Sequence, residues 1–380
     1  AIDNNGSTID SITNTGTITS GYVGIKNYTG GTIGSINNSG TIASAGGTGG
    51  QGILNTSSTI GTITNSGTIS SVFTAITNTA GTITTLNNSG TITGRTGVYL
   101  LSNATIGTIT NSNLIEATDG NAIDVSYGQV GTLTNTADGH IKGGYAGVSN
   151  SGTITQMTNA GLIDGLYAMI NEGTIGSLAN SGRITSDGSA LVNYGTINTL
   201  TNSGTINSDT YAGIYGVDGT IGSMTNELGG TVSGASAGVY NSAAITLLTN
   251  AGTISSGQNA IYNGGSLGGV VNSGSITGSD GAAIFSSSVI ESINTSGTLT
   301  GSQHGIFNDS GRIGNITNTG AITGTMYEGI FSINGTLGNI SNLGAGARIT
   351  GGTAGIYSRR GDAGSVTNEG TIQGGSYGIY

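Results

Sequence analysis

A phrase of the form aliphatic-x-Asn-(Ser/Thr)-Gly-x-aliphatic recurs sixteen times with small variations and constrains the fold more than any other feature. One clear copy runs from Leu200 to Ile206 and reads Leu-Thr-Asn-Ser-Gly-Thr-Ile. Its leading aliphatic residue advances by 21 to 27 residues from copy to copy along the 380-residue chain. Such self-similarity is typical of a solenoid, in which each repeat packs only against its neighbours. We therefore expect one continuous solenoid over residues 1–380 rather than two or three globular domains.

Four apolar positions recur in each repeat. The first precedes the leading aliphatic of the phrase by three residues, as Ile197 precedes Leu200. Because same-face residues of a strand are two or four apart, this spacing predicts a corner between them. The Asn-Ser-Gly segment predicts a second corner, and the spacer before the fourth aliphatic predicts a third. The pattern therefore predicts an all-β fold, a parallel β-helix of about 16 coils of about 24 residues with three short strands per coil.

An Asn occupies the same corner in fifteen of the sixteen repeats, and Thr295 replaces it in the other. A side-chain amide both donates and accepts hydrogen bonds, so amides stacked at the strand spacing can bond to the coils above and below. We interpret these residues as a structural ladder rather than a binding site. Its members are Asn14, Asn38, Asn65, Asn88, Asn111, Asn135, Asn159, Asn180, Asn202, Asn226, Asn250, Asn272, Asn318, Asn342 and Asn368.

The composition argues against several classes of function. Charged residues make up only 7% of the chain, and eight Lys and Arg residues cannot form the basic surface that nucleic-acid binding requires. His140 and His304 are seven repeats apart, too far to share a metal ion, and Cys is absent. No apolar run is long enough to span a membrane. We expect no nucleic-acid partner, no metal or cofactor, and no membrane insertion of this segment.

The phrases Asn202 to Ile206 and Gly24 to Gly34 resemble the passenger repeats of bacterial autotransporter adhesins, which are exported by type V secretion. The resemblance covers essentially the whole chain. It implies a right-handed, three-sided β-helix that is extracellular or displayed on the outer surface of a Gram-negative cell. It also implies adhesion, self-association or biofilm formation, with neighbouring solenoids, a host-cell receptor or a glycan as partners. A passenger segment of this kind would be a fragment of a longer protein.

The position after the fourth aliphatic residue differs between the two halves of the chain. In the first eight repeats it varies, from Lys26 to Val192, whereas in the last eight it is always aromatic. These residues should point outward and stack along one face, because each follows an inward residue on a strand. They are either a contact surface for glycan rings or a neighbouring solenoid, or a stack that only stabilises the sheet. The eight residues are Tyr215, Tyr240, Tyr262, Phe285, Phe307, Phe331, Tyr357 and Tyr380.

Two further motifs carry possible chemistry. Arg360, Gly361 and Asp362 form the tripeptide that many integrin ligands use, although so short a match also arises by chance. Glu116, Lys142 and Asp164 follow the third aliphatic in successive repeats and should align as a column. The central Lys favours a solvated ion-pair stack over a pair of catalytic carboxylates.

No segment between the apolar positions is long enough to wall a cleft, so we expect no catalytic residues and no enzyme activity. The sequence thus predicts a non-catalytic, adhesin-like β-solenoid. Two alternatives stay open: a subunit of an extracellular fibre built by end-to-end stacking, and a β-helix that binds or processes polysaccharide.

Overall fold

The computed structural model describes residues 1–46 and 49–380, and all the regular structure within those ranges is β-strand. The chain divides into two compact units, Ala1–Ser186 and Asp187–Tyr380, which are described separately. In each unit the chain passes in turn through three parallel sheets, here named A, B and C, and each strand pairs with its equivalent one coil further on. The predicted all-β solenoid is confirmed, with coils spaced about 23 residues apart.

Eight coils make up the first unit. Its sheet A contains β1 (Ile2–Asn5), β4 (Val23–Tyr28), β7 (Gln51–Thr56), β10 (Thr74–Thr79), β13 (Thr96–Leu101), β16 (Ile123–Ser126), β19 (Ala146–Asn150) and β22 (Tyr167–Asn171). Sheet B contains β2 (Thr8–Asn14), β5 (Thr32–Asn38), β8 (Thr59–Asn65), β11 (Thr82–Asn88), β14 (Thr105–Asn111), β17 (Gln129–Asn135), β20 (Thr153–Asn159) and β23 (Thr174–Asn180). Sheet C contains β3 (Thr17–Ser20), β6 (Thr41–Ser44), β9 (Thr68–Ser71), β12 (Thr91–Gly94), β15 (Leu114–Ala117), β18 (His140–Lys142), β21 (Leu162–Gly165) and β24 (Arg183–Ser186).

The second unit repeats this order. Its sheet A contains β25 (Leu191–Asn193), β28 (Ala212–Gly216), β31 (Ala237–Asn241), β34 (Ile261–Asn263), β38 (Ile284–Ser286), β41 (Ile306–Asp309), β44 (Glu328–Ile333), β48 (Ala354–Arg359) and β51 (Tyr377–Ile379). Sheet B contains β26 (Thr196–Asn202), β29 (Thr220–Asn226), β32 (Ala244–Asn250), β35 (Ser266–Leu267), β36 (Val270–Asn272), β39 (Val289–Thr295), β42 (Arg312–Asn318), β45 (Thr336–Leu337), β46 (Ile340–Asn342) and β49 (Val366–Asn368). Sheet C contains β27 (Thr205–Ser208), β30 (Thr231–Gly234), β33 (Thr253–Ser256), β37 (Ser275–Gly278), β40 (Thr298–Gly301), β43 (Ala321–Gly324), β47 (Arg348–Gly351) and β50 (Thr371–Gly374).

The recurring aliphatic residues form the core of each unit. In one coil of the first unit, Ile33, Ile36, Ile42 and Ile53 are all fully buried. Each stacks on its equivalent in the next coil, since Ile33 lies in register with Ile60 and Ile36 with Ile63. Burying one such side chain stabilises a fold by about 1.5–3 kcal/mol. The period of the sequence therefore sets the period of the core.

One predicted corner is wrong. The first and second aliphatic residues, such as Ile60 and Ile63, belong to a single seven-residue strand and do not flank a strand boundary. Between them, Gly61 and Thr62 are both partly exposed, and the pairing with β11 skips Gly61. A bend within the strand therefore brings two residues three apart onto the buried side. The corner that was predicted between these two aliphatic residues lies instead between sheets A and B, after an Asn such as Asn55.

The corner Asn residues between sheets B and C, from Asn14 to Asn342, are buried and hydrogen-bonded from coil to coil, and Asn368 at the end of the series is exposed. The amide of Asn65 donates to Oδ1 of Asn88 over 2.8 Å, and Asn88 donates to Asn111 over 2.8 Å. Asn88 also donates to the backbone carbonyls of Gly90 and Leu114. In the second unit Thr295 replaces the Asn of one coil. Its hydroxyl accepts a hydrogen bond from Asn272 over 3.1 Å, so Thr295 belongs to the same series.

A second ladder, which the sequence interpretation missed, occupies the corner between sheets A and B. Asn4 donates to Asn27, Asn27 to Asn55 and Asn55 to Asn78, with nitrogen–oxygen distances of 2.7, 2.9 and 2.9 Å. Leu100 and Val125 fill the equivalent positions of the next two coils, so this series is interrupted where the first one is not. The sequence feature that could have predicted this second ladder is an Asn two residues after the fourth aliphatic residue, as in Ile53-Leu54-Asn55.

Candidate binding surface

The eight aromatic residues that follow the fourth aliphatic residue in the coils of the second unit form one ladder on the outer side of sheet A. We call it the aromatic ladder. Consecutive members from Tyr215 to Tyr357 occupy equivalent positions on neighbouring strands. Tyr380 continues the series, because its ring centroid lies 4.8 Å from that of Tyr357. Each member from Tyr215 to Tyr357 follows a buried aliphatic residue of its strand, which is why these rings face outward. All are partly buried except Tyr380, which is 61% exposed.

Ring contacts run without a break along the ladder. Tyr240 and Tyr262 are stacked, with centroids 4.4 Å apart and planes inclined by 7°. Phe285 and Phe307 meet edge to face at 5.2 Å and 78°, so the ring planes turn between the fourth and fifth members. Burial is the main cause that raises the pKa of the Tyr240 hydroxyl, and the neighbouring Tyr262 adds to it. Tyr240 is therefore uncharged at neutral pH.

A buried histidine joins the ladder near its C-terminal end. His304 is 7% exposed, and its ring centroid lies 4.8 Å from that of Phe307 and 5.2 Å from that of Phe331. Burial lowers the pKa of His304 to about 4, so the imidazole is neutral at pH 7. The sequence interpretation only excluded a metal site shared by His140 and His304, and it missed the packing of His304 against the rings.

Glu328, one coil further on, is the polar neighbour of this histidine. Its Oε2 lies 3.0 Å from Nδ1 of His304, without the alignment of a ring N–H hydrogen bond. Its Oε1 accepts a hydrogen bond from Thr353 over 2.8 Å. The His304 ring therefore has one carboxylate beside it and contacts the aromatic rings of Phe331 and Tyr327.

In the first unit the equivalent sheet A positions form no such ladder. They are occupied by Lys26, Leu54, Thr77, Tyr99, Asp124, Ser149 and Ile170, and Val192 begins the column in the second unit. Side chains of mixed size and charge cannot stack as rings do. The aromatic strip is therefore a property of the second unit.

The charged column of sheet C separates into two pairs. Glu116, Lys142 and Asp164 occupy the expected register. Lys142 donates to Oε1 of Glu116 over 2.9 Å, and this hydrogen bond is the main cause that raises the pKa of Lys142. Asp164 instead lies 2.9 Å from Nε2 of His140, a contact that the sequence interpretation did not predict. All four side chains are partly exposed, as solvated ion pairs are.

The tripeptide Arg360, Gly361 and Asp362 lies in an exposed turn that follows β48. Arg360 has a positive φ of 56°, and the carbonyl of Asp362 accepts a hydrogen bond from the amide of Leu337. The turn is therefore anchored to the preceding coil while its side chains face solvent.

Among the described residues, no group of three or more His, Cys, Asp or Glu side chains is arranged to hold a metal ion. None of the described segments forms a helix long and apolar enough to cross a membrane. Comparisons with protein-family models, with curated proteins and with solved structures yield no match to this chain. The surface chemistry of the two units is therefore the basis for a functional proposal.

Proposed function

We propose that this chain is a non-catalytic, adhesin-like β-solenoid of the bacterial cell surface or its surroundings, which mediates adhesion and self-association through the aromatic ladder. The ladder is the observation that carries the proposal. Soluble proteins rarely leave an uninterrupted apolar strip on their surface unless it makes contact with something. Aromatic side chains are also enriched at the centres of protein interfaces, where they contribute much of the binding free energy.

The distribution of the rings supports a contact role. A series of eight rings exceeds what pairing of neighbouring strands requires, because the first unit builds the same sheet from Lys26, Leu54 and Thr77. The resemblance of the repeats to autotransporter passengers supports display outside the cell. Self-association is a natural use of a strip that repeats at the strand spacing, since a second copy offers the same repeat.

The test is a variant in which alternate rings are removed, Y215S/Y262S/F307S/Y357S. Every remaining ring then loses its neighbours within the ladder, whereas the buried aliphatic residues stay in place. Beads coated with this variant should aggregate with one another, and attach to epithelial cells, at least tenfold less than beads coated with the unaltered protein. Far-ultraviolet circular dichroism should show an unchanged β spectrum.

The matched control removes four aromatic residues from the first unit, Y22S/F73S/Y127S/Y145S, all of which are well exposed. This variant should keep both aggregation and attachment. If the ladder variant is folded and behaves like the control, the ladder only stabilises its sheet and the proposal is wrong.

A further inference from the structure

A shallow groove of about 320 Å³ lies in the second unit, where sheet C turns towards sheet A. We call it the serine groove. Asn207, Ser233 and Ser255 are equivalent residues of β27, β30 and β33, so the groove crosses these three successive coils, and it reaches the next coil at Ser279, after β37. Its other polar side chains include Asp209, Ser256 and Ser279, and Ala235 and two glycines complete the wall. The groove is formed by small side chains in consecutive coils and needs no long loop.

Ser256 is a buried hydroxyl group without a partner in the groove wall. It is 6% exposed, and its Oγ makes no hydrogen bond to any described residue. The same strand position is Ser in other coils, where the hydroxyl donates to a backbone carbonyl. Ser44 donates to Tyr22, Ser71 to Gly50 and Ser208 to Gly188. A buried polar group without a partner calls for an explanation, and the simplest is a hydrogen bond to a bound ligand or to an ordered water.

Charge restricts which ligand the groove can hold. Asp209 is the one carboxylate among the residues described as lining it, and its Oδ1 already accepts from the amide of Asn207 over 2.7 Å. A single carboxylate, with one oxygen already engaged, supplies little of the negative charge and few of the six or more oxygen ligands that a divalent cation takes. No basic residue lines the groove, and the carboxylate disfavours anions. The largest apolar side chain in the wall is that of Ala235, so an apolar ligand would gain little by binding.

Hydroxyl, amide and carbonyl groups suit a neutral polyhydroxyl ligand, whose many hydroxyl groups both donate and accept hydrogen bonds. Oδ2 of Asp209 can accept from one sugar hydroxyl, and the hydroxyl of Ser256 can pair with another. We propose that the serine groove is a binding site for a neutral saccharide unit. The groove is separate from the aromatic ladder, so this inference goes beyond the proposed function and each can fail alone.

The experiment uses the full 380-residue chain and saturation-transfer NMR with cellotriose, maltotriose and mannotriose, each at 10 mM. At least one of these neutral trisaccharides should receive saturation from the protein, and sialyllactose, which is anionic, should not. S256A should weaken the binding at least threefold, because it removes the unpaired hydroxyl. S255L should abolish it, because the larger side chain fills the groove.

S44A provides the matched control, since it removes the equivalent hydroxyl from a coil of the first unit, outside the groove. It should leave saccharide binding unchanged. The inference is overturned if no neutral trisaccharide binds, if S256A and S255L bind as tightly as the unaltered chain, or if a crystal soaked in the trisaccharides shows only an ordered water at Ser256. The ring-removal variant Y215S/Y262S/F307S/Y357S should still bind the trisaccharide, which separates this site from the proposed adhesive surface.

Discussion

At the scale of single residues, one buried amide illustrates how the polar corners stabilise this fold. Asn88 accepts from Asn65 and donates to Asn111, Gly90 and Leu114. Replacing it with Ala leaves the Oδ1 of Asn111 and one donor direction of Asn65 unpaired inside the protein. An unsatisfied buried group costs about 1–3 kcal/mol. We expect N88A to lower the free energy of unfolding by about 2–4 kcal/mol, measured by urea denaturation.

Asn87 offers a control one residue away. Its side chain points to the outer side of the same strand and is partly exposed. N87A should therefore change the free energy of unfolding by no more than about 0.5 kcal/mol. Equal losses in N87A and N88A would mean that the loss of Asn, and not of the ladder contact, destabilises the chain.

His304 makes stability depend on pH. Burial lowers its pKa to about 4 in the folded protein, from an ordinary value of 6.5. Between these values the unfolded chain binds a proton at this histidine that the folded protein does not. The stability that comes from burying the neutral His304 ring is therefore complete above pH 6.5 and is lost as the pH falls towards 4. Relative to H304Q, the unaltered chain should lose on the order of 2 kcal/mol between pH 7 and pH 4.5.

Urea denaturation at the two pH values measures this difference, and NMR titration of the imidazole locates the pKa directly. H140Q is the control, because His140 is about one-third exposed beside Asp164. It keeps His304 and should therefore keep the loss of stability with acid that His304 causes. An H304Q variant that loses stability with acid as steeply as the unaltered chain would contradict the prediction.

At the scale of elements, glycine occupies the bend in several of the seven-residue strands of sheet B, such as Gly61 in β8, whereas others, such as β11 with Thr84, bend without it. A Cβ atom placed on Gly61 would lie 2.3 Å from the carbonyl oxygen of Gly34 in the preceding coil, which is too close for any real contact. Overpacking of this kind costs about 1–3 kcal/mol. We expect G61A to lower the free energy of unfolding by about that amount. G21A is the control and should be nearly neutral, because a Cβ at Gly21 would meet no atom of the described residues within 4 Å.

The same strands show where sequence reasoning succeeds and where it stops. The three-residue spacing of Ile60 and Ile63 correctly indicated a break in the strand period between them. Spacing alone does not distinguish a bend, which keeps both residues in one strand, from a corner, which separates two strands. Hydrogen bonds to the neighbouring coils decide between these cases, and they depend on atoms that are distant in sequence.

The candidate sites show the same limit. The aromatic ladder could be predicted, because each ring holds a fixed place after an aliphatic residue in its own repeat. The packing of His304 between Phe307 and Phe331 could not, because it depends on the side chains of adjacent coils. The serine groove could not be predicted either, since it is a hollow left by small residues of four successive coils. Contacts that follow the repeat are readable from the sequence, and contacts that depart from it are not.

At the scale of the whole molecule, charge and the aromatic ladder act on self-association in opposite directions. The formal net charge of −10 makes two copies repel each other at pH 7. Salt screens this repulsion, with a Debye length that falls from about 30 Å at 0.01 M to about 10 Å at 0.1 M. Contact between aromatic rings does not depend on charge and is not weakened by salt of this kind.

Association through the ladder should therefore strengthen as sodium chloride rises from 0.01 to 0.3 M. Sedimentation velocity at several protein concentrations should show the mean sedimentation coefficient of the unaltered chain increasing with salt. Y215S/Y262S/F307S/Y357S should remain monomeric at both salt concentrations, because screening alone provides no attractive contact. Association that weakens with salt would instead indicate that copies are joined by ion pairs between charged side chains, such as the partly exposed Arg312 or Lys142 of one copy and a carboxylate of another. Association of the ring-removal variant that matches the unaltered chain would place the contact elsewhere, as end-to-end stacking of coils would.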